Sequence, residues 1–173
     1  MIWGWTKGSS PLIIPKQAGI PISKNGGFAS FCLSVHFHNP SHLHDLVTNS
    51  GIRVYYTSNL RPYTASVFVL GDVFNTNQGR FLGQGISKHT FSCSEYCTES
   101  TFLHDVVVYR EYYHMHGQGL RISNTQRRKG VPIRTRAIDF FDFNRAGALS
   151  PPQQPFVIKG RDTFQLSCYY NAR

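Results

Sequence analysis

Two histidines that could bind a metal stand one residue apart in the sequence. His114 and His116 flank Met115 in the run YYHMHG, which follows the apolar and aromatic residues at 106–109. This pattern predicts a β-strand, in which both imidazoles share one face and Met115 takes the other. Two imidazoles on one face can chelate copper or zinc, with further ligands from elsewhere in the fold or from water. For an isolated His-X-His motif, a solvent-facing pair without a metal is the commoner alternative.

A second pair, His36 and His38, lies in a run that alternates in the same way. Residues 31–38 predict a half-buried strand with both histidines on its polar face. Its other face is expected to meet a core and carries Phe31, Leu33, Val35 and Phe37.

The remaining elements that would position these histidines are strands and turns. Alternation predicts strands at 51–57, 65–71 and 163–170, and a hairpin of 120–122 with 131–136 across Lys129-Gly130. We find no pattern for a helix longer than a turn or two. The predicted class is all-β and antiparallel, of the sandwich type.

Composition narrows the function classes. The chain has 173 residues, 40% hydrophobic and 14% aromatic, as expected of a folded protein, with a net charge of +9. Many of the cations surround the predicted hairpin turn, which favours a solvated tip over nucleic-acid binding; they are Arg121, Arg127, Arg128, Lys129, Arg134 and Arg136.

No run approaches the roughly 18 apolar residues of a membrane span. Residues 1–22 lack the basic start and apolar run of a signal peptide.

Several spaced motifs occur in one order along nearly the whole chain. They are SVHFHNP at 34–40, SGIRVYYT at 50–57, CSEYCT at 93–98, HMH at 114–116 and DTFQLSCYYN at 162–171. Together they resemble the type II copper, ascorbate-dependent monooxygenases, in particular the dopamine β-hydroxylase-like branch. The resemblance implies two antiparallel β-sandwich (jelly-roll-like) domains with one copper each, and ascorbate as the reductant.

The resemblance assigns ligands to both coppers. His114 and His116 match the histidine pair of the catalytic copper, which in the family is completed by a distant methionine. His36 matches one ligand of the electron-transfer copper, with His38 as the alternative, and a His-His pair supplies the other two. Imidazole binds Cu(I) and Cu(II), and a thioether favours Cu(I), so the catalytic set can be reduced and then react with oxygen. No catalytic residue beyond the copper ligands is expected.

The resemblance also divides the chain. Residues 1–62 match the C-terminal part of the N-terminal copper domain, and residues 63–173 match the N-terminal and central part of the catalytic domain. Both domains would be partial, so the chain is expected to be an internal fragment of a longer enzyme or a truncated gene product. The resemblance places that enzyme outside the cell or in the lumen of the secretory pathway.

Two departures from the family pattern bear on activity. The chain has no His-His dipeptide, and its only methionines are Met1 and Met115. Met115 faces away from His114 and His116 in a regular strand and cannot easily be the thioether ligand. We therefore expect this chain alone to bind at most one copper, through the two histidines, and to be inactive in hydroxylation.

The four cysteines allow at most two disulfides. Cys93 and Cys97 would lie roughly 13 Å apart in an extended strand, beyond the Cα separation of about 7 Å that a bridge tolerates, so only a tight turn would let them pair. Cys32 is interpreted as a small buried hydrophobe. By the resemblance, Cys93, Cys97 and Cys168 bond to cysteines further along the parent chain.

Two functions follow as hypotheses. In the first, the parent enzyme uses oxygen to hydroxylate a carbon of a small organic substrate such as an arylalkylamine. In the second, the chain is a non-catalytic β-sandwich module that binds metal weakly, or a polyanion through residues 121–136.

Overall fold

The chain forms two compact units in a computed structural model that describes residues 3–22, 28, 30–35, 37, 39–72, 83–146 and 154–172. One unit is Ile14–Ser66, and the other combines Met1–Ile13 with Val67–Arg173. The predicted boundary after residue 62 lies close to this division, whereas the first 13 residues group with the later part of the chain.

The architecture is all-β, as predicted. The strands are β1 (Ala18–Gly19), β2 (Tyr63–Thr64), β3 (Gly85–Cys93), β4 (Val106–Val108), β5 (Gly119–Arg128), β6 (Val131–Ile138), β7 (Phe156–Ile158) and β8 (Thr163–Ala172). A short helix, α1 (Glu95–Thr101), and a 3₁₀ turn at Phe143–Arg145 are the helical elements of the described residues. None of the helices in that part of the chain is long and apolar enough to cross a membrane.

An antiparallel four-stranded sheet in the order β3-β8-β5-β6 dominates the larger unit. The β5–β6 hairpin turns at Lys129 and Gly130, whose φ angles of 52° and 78° belong to the tight turn that matches the twist of paired strands. This confirms the predicted hairpin. A second antiparallel pair, β4 with β7, lies in the same unit.

One of the two buried apolar clusters in the described part of the larger unit forms on one face of this sheet. Ile122, Ile138 and Cys168 contribute from three neighbouring strands. Tyr113 and Met115, from the segment that carries the histidine pair, pack against them together with Phe141. The histidine segment is therefore fixed to the sheet through its own buried side chains.

The unit Ile14–Ser66 contains much less regular structure than its sequence predicts. Its strands are the two-residue β1 and β2, paired in parallel. The described residues of 31–38 and 51–57 form no strand, and the predicted strand at 65–71, which straddles the division between the units, is also absent. The side chains expected in a core at 31–38 are exposed; they are Phe31, Leu33, Val35 and Phe37. These strand predictions were wrong because alternation creates a strand only where a neighbouring strand can pair with it.

The cysteines differ from the sequence-based expectation in two places. Cys93 and Cys97 form a disulfide with a Cα separation of 5.6 Å, because α1 begins between them and coils the chain. Cys32 is exposed rather than buried, since no core forms around it. Cys168 is a free thiol in the core, where burial raises its pKa and the Tyr170 hydroxyl donates a hydrogen bond to it.

Candidate metal centre

The histidine pair lies just beyond the end of a strand. The strand predicted for 106–116 stops at Val108, because its antiparallel partner β7 extends only over Phe156–Ile158. The following residues still alternate: Tyr113 and Met115 are buried, whereas His114 and His116 are exposed. Both imidazoles thus share one face and Met115 lies on the other, although the segment is not a strand.

The two imidazoles are close neighbours. Their ring centroids lie 5.2 Å apart with an angle of 77° between the ring planes. Phe143, on the 3₁₀ turn, lies 6.3 Å from His114 and 5.9 Å from His116, measured between ring centroids. Tyr112 stacks on His114 at 6.4 Å with an interplanar angle of 15°. Aromatic rings therefore flank the pair on two sides.

Sequence reasoning did not find these flanking rings. Phe143 lies in the aromatic-acidic run DFFDF at 139–143, and Tyr112 stands two residues before His114. A Tyr two residues before the first histidine was the available signal for Tyr112, since it shares the histidine face by alternation. The approach of Phe143 depends on the fold of a turn some 27 residues away in sequence and has no local signal.

The surroundings of His114 favour its neutral imidazole. Burial, and then the nearby charge of His116, lower the pKa of His114 below its usual value. Neither ring hydrogen-bonds to any residue in the described part of the chain. A metal ligand must be the neutral form of histidine, so the lowered pKa makes His114 more available as a ligand.

The pair fits two positions around one copper ion. A metal about 2.0–2.1 Å from a ring nitrogen lies about 3 Å from that ring's centroid, and centroids 5.2 Å apart suit adjacent positions on one metal. Exposed, unpartnered imidazole is a donor that copper prefers in either oxidation state. Among the described residues, no group of three or more His, Cys, Asp or Glu comes together as a metal site. The residues present therefore fit copper as two of its ligands.

Met115 occupies the core instead of the histidine face. It is 3% exposed and packs against Tyr113, Ile122 and Ile138. A Cβ atom built on Gly119 would lie 2.7 Å from the Met115 Cβ. The backbone at Gly119 therefore packs directly against the Met115 side chain, and only glycine fits at this position. Its thioether is thus separated from the imidazoles by the backbone itself.

The second predicted ligand site lies outside the described residues. His36 and its alternative His38 are not among them. The assignment of His36 to an electron-transfer copper stays a prediction.

Comparison with known proteins finds several similar sequences. The chain is 27% identical to tyramine beta-hydroxylase of Caenorhabditis briggsae and 28% identical to DBH-like monooxygenase protein 1 of Homo sapiens, in each case along its full length. It is 33% identical to dopamine beta-hydroxylase of Rattus norvegicus over 55% of its length. The chain is thus similar, along its whole length, to dopamine β-hydroxylase-like monooxygenases.

The chain covers only part of the relatives that it matches. It spans 30% of the tyramine beta-hydroxylase, 29% of the human DBH-like protein and 15% of the rat dopamine beta-hydroxylase. No family model matches the chain, and no solved structure matches it.

Proposed function

We propose that this chain is part of a copper-dependent, ascorbate-using monooxygenase that hydroxylates a carbon of a small organic substrate such as an arylalkylamine. In this proposal His114 and His116 hold the catalytic copper, and His36 belongs to the electron-transfer copper. The parent enzyme would act in the secretory pathway or outside the cell, as the family does.

The observation that carries the proposal is the unpartnered imidazole pair. His114 and His116 face solvent, with their ring centroids 5.2 Å apart. The buried side chains of Tyr113 and Met115 hold this segment on the sheet. Copper, when bound, would supply the one-electron redox chemistry that oxygen activation needs.

The protein's own contribution is to hold the ligands and shape the surface beside them. The buried Met115 and Tyr113 set the direction of the two imidazoles. Phe143 places an apolar ring, 44% exposed, next to both of them, where it would keep water from part of the site. We infer that this chain alone binds copper through two protein ligands and does not complete the hydroxylation.

The polyanion alternative finds less support in the charge distribution. Several of the cations around the β5–β6 hairpin are already paired: Arg121 with Asp139, Arg128 with Asp162 and Arg134 with Glu111. Paired cations contribute little to binding a polyanion, because the partner carboxylate cancels much of their field. The other three cations at the hairpin have no ion pair within the described residues; they are Arg127, Lys129 and Arg136.

Copper binding by the purified chain tests the proposal. We expect one Cu(II) per chain, with an electron paramagnetic resonance signal that shows nitrogen ligands and disappears in the double variant His114→Ala/His116→Ala. The matched control is His104→Ala, an exposed histidine of the same unit, which should leave the signal unchanged. Copper that survives the double substitution, or ascorbate-dependent product formed by this chain alone, would contradict the assignment.

A further inference from the structure

The N-terminal segment of the larger unit is bonded to the residues that lead into the histidine pair. The Thr6 and Tyr112 hydroxyls lie 2.6 Å apart, across a sequence separation of 106 residues. Arg110 donates one hydrogen bond to the Pro11 carbonyl and another to the Ser10 hydroxyl, both at 2.9 Å. Residues 6–11 therefore run beside residues 110–112, and the grouping of Met1–Ile13 with this unit reflects the same contacts.

Tyr112 connects this segment to the metal ligands. Its hydroxyl bonds to Thr6, and its ring lies nearly parallel to the His114 imidazole, within the range of favourable offset stacking. A tyrosine held at its hydroxyl end cannot turn freely about its side-chain bonds. The orientation of the Tyr112 ring, and with it the space open to His114, thus depends on Thr6.

We propose that residues 6–11 form a strap that positions His114 for the metal, acting through Tyr112. This inference rests on the proposed function, since it names a positioning device for the same two ligands. Tyr112 and Thr6 touch neither metal nor substrate in it. Their part is to restrict His114 to the orientation in which both imidazoles face one ion, which lowers the entropy cost of binding.

The strap consists of weak contacts that act together. Its hydrogen bonds are at the surface, where water competes with each of them. The bond between Thr6 and the Ser9 hydroxyl turns the segment so that it presents Thr6 on one side. Removing one bond should therefore loosen Tyr112 without unfolding the unit.

Variants of Thr6 and Tyr112 test the strap. Thr6→Val and Tyr112→Phe each delete the bond between the two hydroxyls and keep the side-chain shape, whereas Thr6→Ser retains a hydroxyl and should rescue. Tyr96→Phe is the matched control, because Tyr96 is 77% exposed and has no hydrogen bond within the described residues. The measurements are the ring resonances of His114 in the metal-free chain, assigned with His114→Ala, and the Cu(II) affinity by titration.

We expect Thr6→Val and Tyr112→Phe to shift the His114 ring resonances, since the Tyr112 ring current no longer acts at one fixed position. Their Cu(II) affinity should fall about fivefold, the factor that corresponds to one ordinary neutral hydrogen bond. Thr6→Ser and Tyr96→Phe should behave as the wild type. Should Thr6→Val lose its dispersed spectrum, Tyr112→Phe decides alone.

Unchanged His114 resonances in both deletion variants would overturn the strap, and so would a shift with no loss of affinity, because His114 would then be no better placed for the metal. If the wild-type chain binds no Cu(II) at all, the proposed function fails instead. The metal-free spectra would still show whether residues 6–11 position His114.

Discussion

The histidine pair depends on the residues behind it as much as on its own chemistry. Met115 fills the core beneath the pair, and Gly119 lets the chain close over it, with no room for a Cβ between them. The backbone N–H of Gly119 also donates to the His116 carbonyl at 2.8 Å, which fixes the turn after the motif. Packing density at this point therefore controls where the imidazoles lie.

Substitutions at Met115 and Gly119 should show whether this region affects copper binding through its packing or through a thioether ligand. Met115→Leu conserves volume and should leave copper binding unchanged, at a stability cost below about 1.5 kcal/mol. Gly119→Ala inserts a methyl group 2.7 Å from the Met115 Cβ and should destabilise the chain by about 1–3 kcal/mol and weaken copper binding. Gly117→Ala, where a Cβ meets nothing within 4 Å, is the control. Denaturant titrations measure the free energy of unfolding of the three variants, and copper titrations measure their copper affinity. Loss of copper binding in Met115→Leu would show that the thioether is a ligand.

At the residue level, the sequence could predict the shared face of His114 and His116, since alternation is a local property of extended chain. It could not predict Phe143 beside them or the bond from Thr6 to Tyr112, because those contacts join distant parts of the chain. The pairing of Cys93 with Cys97 lies between these cases. The sequence does contain signals of a helix start there, which would have indicated α1. They are Ser94, whose side chain accepts a hydrogen bond from the Cys97 backbone N–H, and the acidic Glu95 after it.

Among the elements, the turn between β7 and β8 is hydrogen-bonded to both β5 and α1. Asp162 is fully buried there and accepts hydrogen bonds from Gln126 and Arg128 of β5 at 2.7–2.8 Å. It also accepts one from the Lys159 backbone N–H, and its carbonyl accepts from the buried Thr98 of α1 at 2.7 Å. The carboxylate of Asp162 thus joins the turn to β5, and its backbone carbonyl joins the turn to α1.

This arrangement predicts how stability depends on pH. Burial alone would raise the pKa of Asp162, but the hydrogen bonds from Arg128, Lys159 and Gln126 outweigh it and hold that pKa below its usual value. A lowered pKa in the folded state stabilises the protein above the unfolded value of about 3.9, and the stabilisation disappears as pH falls towards the folded value. Asp162→Asn should cost about 3 kcal/mol at neutral pH, because Arg128 loses its carboxylate.

Free energies of unfolding between pH 7 and pH 3 measure the effect. The wild type should lose stability more steeply than Asp162→Asn towards the acid end. Asp105→Asn serves as the control, since that carboxylate is 58% exposed and lies 3.4 Å from Lys159. Curves for wild type and Asp162→Asn that stay parallel over this range would show that Asp162 is not the titrating group.

The elements also show where pattern reasoning fails. The β5–β6 hairpin and β8 were predictable, because alternation, a tight turn and a paired neighbour coincide there. Residues 31–38 alternate just as clearly, yet their described part forms no strand. Alternation reports which face a strand would bury, and it cannot report whether the partner strand is present.

Across the whole molecule, the two units differ in how extensively their backbone is hydrogen-bonded in sheets. The larger unit has four strands of eight to ten residues in one sheet, with β8 and β5 paired on both sides. In the described residues of Ile14–Ser66, the backbone hydrogen bonds are few and belong to turns and to the two-residue pair β1–β2. Large apolar side chains there stay exposed, with Val47 91% and Tyr56 90% accessible. Stability should therefore be distributed unevenly along the chain.

Hydrogen–deuterium exchange of the full chain tests this distribution. Amides of β5 and β8 should exchange slowest, through global unfolding, and those of the edge strand β6 faster, whereas peptides from 39–60 should exchange among the fastest. The physical reason is that an amide is protected only while it is hydrogen-bonded and shielded from water. Repeating the measurement at a tenfold lower protein concentration is the control, because exposed apolar side chains can associate and gain protection that depends on concentration. Protection at 39–60 equal to that of β8 and independent of concentration would show that this unit pairs its predicted strands within a single chain, and our description of it would be wrong.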